Sequence, residues 1–380
     1  MGFEPNREGG RMRVLRNHRR TRRARITLVL FLVLGVASIG SLPASAATTR
    51  FTQVNLVSDI PGLAKNYDPD LVNPWGISHS ATSPNWVSDN GTGVSTLYNT
   101  AGTKQALVVT IPPPLGSPPG TTATPTGQVF NGTADFVVNQ GPNSGPARFI
   151  FATEDGTISG WSPTVDPTHA ILAVDKSPFG AIYKGLAIGS NGSGNFLYAA
   201  NFHAGTIDVF DKDFHQVQLA GSFTDPNIQK GFAPFNIQTL GGKLYVTYAK
   251  QDADGEDDVA GPSNGYVDIF DTNGNLIQRL ATRGRLNSPW GLAFAPPSFG
   301  AYAGDLLVGN FGDGRINIVD PVTGEFLDQL RDANNRFITI DGLWGLIVGN
   351  GGNGGDPDKV YFTAGLDDEA HGLYGSLAPS

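Results

Sequence analysis

Residues 93–98 (GVSTLY) set a glycine ahead of a short run that mixes apolar and polar positions, and the arrangement returns at 156–161 (GTISGW), 205–210 (GTIDVF), 265–270 (GYVDIF), 314–319 (GRINIV) and 372–377 (GLYGSL). Alternation of this kind marks a strand whose two faces meet different surroundings, and the glycine supplies the turn that opens it. Successive glycines are 63, 49, 60, 49 and 58 residues apart. That interval accommodates a four-stranded antiparallel sheet with its turns, and repeats of such length belong to propellers. Six copies predict an all-β chain folded as a six-bladed β-propeller.

Within the repeats, inner strands are expected at 184–188 (KGLAI), 235–238 (FNIQ), 290–294 (WGLAF) and 344–348 (WGLIV), with second strands at 195–200, 243–248, 305–309 and 359–363. Blade one opens at 73–78 (NPWGIS) and returns through 85–88. The proline-rich stretch 112–125 reads as a surface excursion, after which blade two is placed at 132–138 (GTADFVV) and 148–152. The position that starts the inner strands is Trp75, Lys184, Phe235, Trp290 or Trp344, each followed by glycine or asparagine, which lets strands crowd a narrow channel. Residues 49–59 (TRFTQVNLVSD) also alternate but belong to no repeat, while the last blade offers only three strands. The N-terminal strand is therefore predicted to pair with the last blade and close the ring, removing an open edge.

The first 46 residues break this pattern. Nine arginines fall between positions 7 and 25, an apolar run covers 26–36, and Ala44-Ser45-Ala46 follows. This is the build of a secretory signal peptide with an A-x-A cleavage site, which divides the chain into a signal peptide, 1–46, and a single propeller domain, 47–380. The apolar run is too short for a stable span, and a chain without cysteine has no thiol to acylate, so the expected product is secreted with no membrane span after signal removal. Thr21-Arg22-Arg23 fits a twin-arginine route, but any basic leader looks similar and general secretion is the simpler reading.

Of 26 basic and 34 acidic residues the leader takes nine and two, leaving 17 against 32 in the body. A body of net charge −15 repels phosphate backbones and excludes nucleic acid as a partner class. Metal sites must use oxygen and imidazole donors.

In a propeller each inner strand starts at one face, the second returns to it and the third leaves it again. The loops before inner strands therefore share a face with the loops between second and third strands, and the polar residues concentrate in those two sets. Ligand-binding candidates on this rim are Trp75, Lys184, Asn201, Asn236, Trp290, Asn310 and Trp344. The tryptophans either stack on a ligand or pack blade against blade. His203 and His371 stand near equivalent glycines of blades three and six, which oppose each other across the ring; they are catalytic candidates or hydrogen-bonded structural imidazoles. Similarity to lactone-hydrolysing six-bladed propellers, which hold a divalent cation at the channel mouth with Glu, Asn and Asp side chains from different blades, implies a metal set of Glu154, Asn201, Asn236, Asn310 and Asp367, and Ca²⁺ is the ion that such hard donors suit.

The acidic run 252–258 (DADGEDD) departs from an EF-hand, with glycine fourth rather than sixth, and reads as a solvated loop. Single-copy 351–356 (GGNGGD) reads as a turn. No G-x-S-x-G, H-E-x-x-H or cysteine nucleophile is present.

The motifs at 73–76 (NPWG), 200–208 (ANFHAGTID), 286–292 (LNSPWGL), 309–314 (GNFGDG) and 370–373 (AHGL) resemble those of an uncharacterised family of exported bacterial proteins, similar to NHL-type six-bladed propellers. The resemblance covers the body of the chain and implies fold and export, with no activity attached. The residues favour a binding propeller that holds a small polar ligand or a protein at the channel mouth. The alternative is a divalent-metal-dependent hydrolase, lactonase-like, or a lyase using the same rim.

Overall fold

The computed structural model describes Met1 and residues 49–380, so the leader and its cleavage motif lie outside the described residues. Six sheets are arranged in a ring to form a six-bladed β-propeller. The inner strands are Pro74–Ser78, Pro125–Phe130, Tyr183–Ser190, Phe232–Leu240, Pro289–Phe294 and Leu343–Val348, and each contacts the inner strands on either side of it around the ring. All six glycine-led repeats form third strands, from Val94–Tyr98 in blade one to His371–Pro379 in blade six.

The ring closes with the N-terminal strand. Phe51–Ser58 runs antiparallel to His371–Pro379, from Phe51 opposite Pro379 to Ser58 opposite Leu373, with one bulge between Asn55 and Val57. A short parallel strand, Asn66–Tyr67, is added outside it. Side chains lock the same seam. Ser58 Oγ donates to the Gly372 carbonyl at 2.7 Å, and the Asp59 carboxylate accepts from the Gly372 amide at 2.8 Å and meets His371 Nδ1 at 2.7 Å.

The inner strands approach so closely that five of the six positions after the strand-opening residue must be glycine. A Cβ on Gly76 would lie 2.3 Å from the Thr126 carbonyl oxygen, on Gly127 2.3 Å from the Leu186 nitrogen, and on Gly291 2.5 Å from the Trp344 carbonyl oxygen. Gly185 and Gly345 are equally confined. Asn236 is the exception. Its amide bridges the joint between blades four and five, donating to the Trp290 carbonyl at 2.7 Å and accepting from its neighbour Ile237 at 2.8 Å.

Blade two differs from the sequence expectation. Its inner strand is Pro125–Phe130, inside and just beyond the stretch assigned to a surface excursion, while residues 137–140 pair with 143–146 as a separate hairpin. Proline at the first residue of a strand withholds no ladder donor, so Pro125 is tolerated there. Thr126-Gly127 is the sixth copy of the inner-strand motif.

Candidate functional site

Above the inner strands lies a cavity of about 840 Å³, and its wall is built from the two loop sets that share a face. The first residues of inner strands bring Trp75, Lys184 and Trp344, and the loops before inner strands bring Thr124 and Asp341; loops between second and third strands bring Glu154, Asp257, Phe311 and Glu369. All six blades contribute.

Aromatic rings form the floor. Trp344 is stacked between Trp75, at 3.5 Å between ring centroids, and Phe311, at 4.0 Å, with Trp290 edge-on to both tryptophans. Phe202 and Phe235 complete the cluster. The three tryptophan side chains are only 1 to 4 % exposed, so they plug the channel at this level and little of their surface faces the cavity. Below the plug a second space of about 220 Å³ runs between the inner strands, and Trp290 and Asn236 line this one.

A polar chain is stretched over the plug. The Trp344 indole N–H donates to Asn73 Oδ1 at 3.1 Å, and the Asn73 amide donates to Glu369 at 2.5 Å and to Asn90 Oδ1 at 3.3 Å. Asn90 then donates to Glu154 Oε2 at 2.8 Å, and Lys184 Nζ reaches Glu154 Oε1 at 2.5 Å and Asp257 Oδ1 at 3.1 Å. These residues come from blades six, one, two, three and four, so the network holds most of the ring in register. Lys184 is 2 % exposed and its ammonium also lies 5.2 Å from the centre of the Trp75 ring. Burial pulls the lysine pKa down, but Glu154 and Asp257 outweigh it and hold the amine above its ordinary value, fully charged. Burial acts on Glu369 in the opposite sense, raising its carboxyl from 4.5 to about 7 against the hydrogen bond from Asn73, with the nearby Glu154 charge adding to the rise.

Among the described residues, the cavity wall takes Trp75, Lys184 and Trp344 from the ligand-binding candidates, and Glu154 alone from the metal set. Asn201 is occupied within its own blade, donating to Asp208 at 3.0 Å and accepting from the Ala204 amide at 3.2 Å. Asn310 donates to the Arg285 carbonyl at 2.8 Å and to Asp313 at 3.0 Å. Asp367 is exposed, with its backbone amide donating to Asp341 at 3.1 Å. His203 is exposed beside the cavity's outer loop, whose Gln251 donates to the His203 carbonyl at 3.3 Å. His371 sits at the ring seam, where Asp59 raises its pKa, and is no part of the cavity wall.

The acidic loop is exposed at Ala253, Asp254, Glu256 and Asp257, as expected of a solvated run, but its ends are tied down. Gln251 Nε2 donates to the Phe202 carbonyl at 2.7 Å, Val259 N bonds back to the Lys250 carbonyl, and Gln251 and Asp258 form a β-bridge, so the loop borders the cavity and delivers Asp257 to Lys184. Residues Asp367, Asp368 and Glu369 all have positive φ, 52°, 51° and 67°. This left-handed turn aims the third acid inward, costing about 1 kcal/mol or more per residue.

No family model matches the chain. Two proteins of Acanthamoeba polyphaga mimivirus, uncharacterized proteins R648 and L690, are 33 % and 34 % identical to it over 88 % and 85 % of its length, covering 82 % and 84 % of their own. The chain belongs to the family of these proteins. A third viral relative of this family, R640, is 33 % identical over 60 % of this chain and 42 % of its own. Among solved structures, a glucose dehydrogenase overlays with a TM-score of 0.51 at 12 % identity, covering 87 % of this chain and all of the other. A virginiamycin B lyase from Staphylococcus aureus gives 0.49 at 11 % identity over 87 % and 99 %. At such identities the likeness is one of fold.

Proposed function

We propose that this chain is an exported β-propeller, delivered by residues 1–46, that binds a small polar ligand in the rim cavity. Export is supported by the arginine-rich, apolar and A-x-A succession of the leader, and by the resemblance of the repeat motifs to exported bacterial proteins of NHL-like build. The observation that carries the binding reading is the cavity itself: about 840 Å³, lined by residues from every blade, with charged groups from blades two, three, four and six, and underlain by an aromatic floor.

Ala260 is exposed on the cavity wall, so Ala260→Trp narrows the space without removing any member of the charged network. The wild-type protein should gain about 4 °C in Tm at a hundredfold excess of a true ligand over its Kd, drawn from a panel of sugars, amino acids and amines. Ala260→Trp should fold normally and lose that gain. Equal gains in both proteins, or no gain from any compound, would refute the assignment.

Carboxylate acid–base catalysis, as in a hydrolase or lyase, is the second reading, favoured by one observation. Glu369 holds a proton to about pH 7 while Glu154, in the same cavity, receives the ammonium of Lys184. A divalent ion is a poorer fit at Glu154, because both its oxygens are engaged and one faces that ammonium. Lactones and glycosides turned over with a pH profile that falls as Glu369 ionises would move the assignment to this reading.

A further inference from the structure

Eight of the residues lining the rim cavity are aspartate or glutamate, and one, Lys184, is basic. Lys184 is already shared between Glu154 and Asp257, and among the described residues no other cation forms a salt bridge to a cavity carboxylate. The mouth therefore repels anions and concentrates cations, in a body that is itself strongly acidic.

The carboxylates are spread around the wall instead of gathered. Among the described residues, the one group of three acids or histidines close enough to share an ion is Asp211, Asp213 and His215, on a remote turn outside the cavity. A compact divalent cation needs converging oxygens, whereas a molecule with separated charges does not. Two details of the floor point the same way. The Lys184 ammonium lies over the Trp75 ring at 5.2 Å, so this floor already accepts an alkylammonium. The Trp75 indole N–H, in a side chain 2 % exposed, has no acceptor among the described residues, so the floor holds an unmatched donor and no spare acceptor for an anion.

Resting on the binding reading above, we propose that the rim cavity takes a small organic polyamine: a molecule carrying two or more ammonium groups several ångströms apart, either an aliphatic polyamine or an amino sugar. Its ammonium groups pair with the exposed carboxylates Glu256, Asp257 and Asp368 around the mouth, and its carbon skeleton lies toward Phe311 and Trp75.

Calorimetric titration of the full protein with spermidine, a fully deacetylated glucosamine dimer, CaCl₂, citrate and cellobiose separates the possibilities. One or both amines should bind, with Kd rising about tenfold or more between about 0.05 M and 0.5 M NaCl as the charges are screened. Tighter binding of the glucosamine dimer than of spermidine identifies hydroxyl acceptors at the floor, and the reverse order identifies the aliphatic source. Glu256 and Asp368 are exposed, so the pair Glu256→Gln and Asp368→Asn should leave Tm unchanged and weaken the amine about tenfold. Binding of cellobiose or citrate with silent amines overturns the ligand class while leaving the cavity a binding site. Calcium binding with silent amines overturns it in favour of a metal. No binding by any of the five overturns the polyamine class, the binding reading itself falling only if the wider thermal panel is silent too, and amine binding unaffected by the paired substitution overturns the location.

Discussion

Replacing Lys184 by methionine tests whether the charged network holds the ring together. Methionine keeps an apolar side chain of similar length but removes the ammonium and its approach to the Trp75 and Phe202 rings, leaving Glu154 with only the Asn90 amide and no cation. Removing one partner of a buried pair costs about 3 to 5 kcal/mol, and the lower end applies because the Glu154 side chain is 25 % exposed. For a folded body of this size about 3 kcal/mol corresponds to a fall of about 4 °C in Tm, since the unfolding entropy is about 0.7 kcal/mol per kelvin. The companion substitution Glu154→Gln removes the stranded charge and keeps an acceptor for Asn90. Lys184→Met with Glu154→Gln should therefore recover most of the loss, and urea unfolding of the four proteins gives the coupling directly. A double variant as unstable as Lys184→Met, or a single variant indistinguishable from wild type, would show that the pair is not coupled and that the cavity is organised by packing alone.

Stability should also depend on pH through Glu369. Its folded-state pKa of about 7 exceeds the ordinary 4.5, so the contribution is fully present below pH 4.5 and is lost as pH rises toward 7, amounting to about 3 kcal/mol. Asp268, buried and raised to about 7, acts in the same direction, so the readout is the difference between wild type and Glu369→Gln across that window; parallel curves would sink the assignment. In the ring itself, Gly127→Ala places a methyl group 2.3 Å from the Leu186 backbone nitrogen, whereas Gly205→Ala meets nothing within 4 Å and suffers only from its φ of 69°. The first should abolish folding or cost several kcal/mol, and the second about 1 kcal/mol; equal costs by urea unfolding would contradict the close inner-strand approach.

The features legible in the sequence were those that each blade must repeat. A glycine before every third strand and a large residue followed by glycine or asparagine in most inner strands are local requirements of the ring, so they recur and can be aligned by eye. Blade two escaped because its inner strand carries Thr126 where others carry an aromatic ring or lysine, and because Pro125 looks like a breaker although the first position of a strand needs no amide donor. The cavity face was legible for the same topological reason, and Lys184, Glu154, Trp75 and Trp344 do meet there. What could not be read was direction within a loop. Three consecutive acids, Asp367, Asp368 and Glu369, are equivalent as sequence, and only a left-handed turn decides that the third one reaches Asn73. Asp257 is hidden in a run that composition alone assigns to solvent, and its place depends on Gln251 reaching a carbonyl of the neighbouring blade. The amides of Asn201 and Asn310 look like ligands but are consumed by Asp208 and Asp313 within their own turns. Repetition thus encodes the scaffold, while the departures from it, Lys184 for an aromatic ring and Asn236 for glycine, mark where a blade does something its siblings do not. Asn236 uses its departure to bridge two blades. Lys184 uses its own to place the cavity's one buried cation against carboxylates from two others, which is why that side chain is the place to begin testing function.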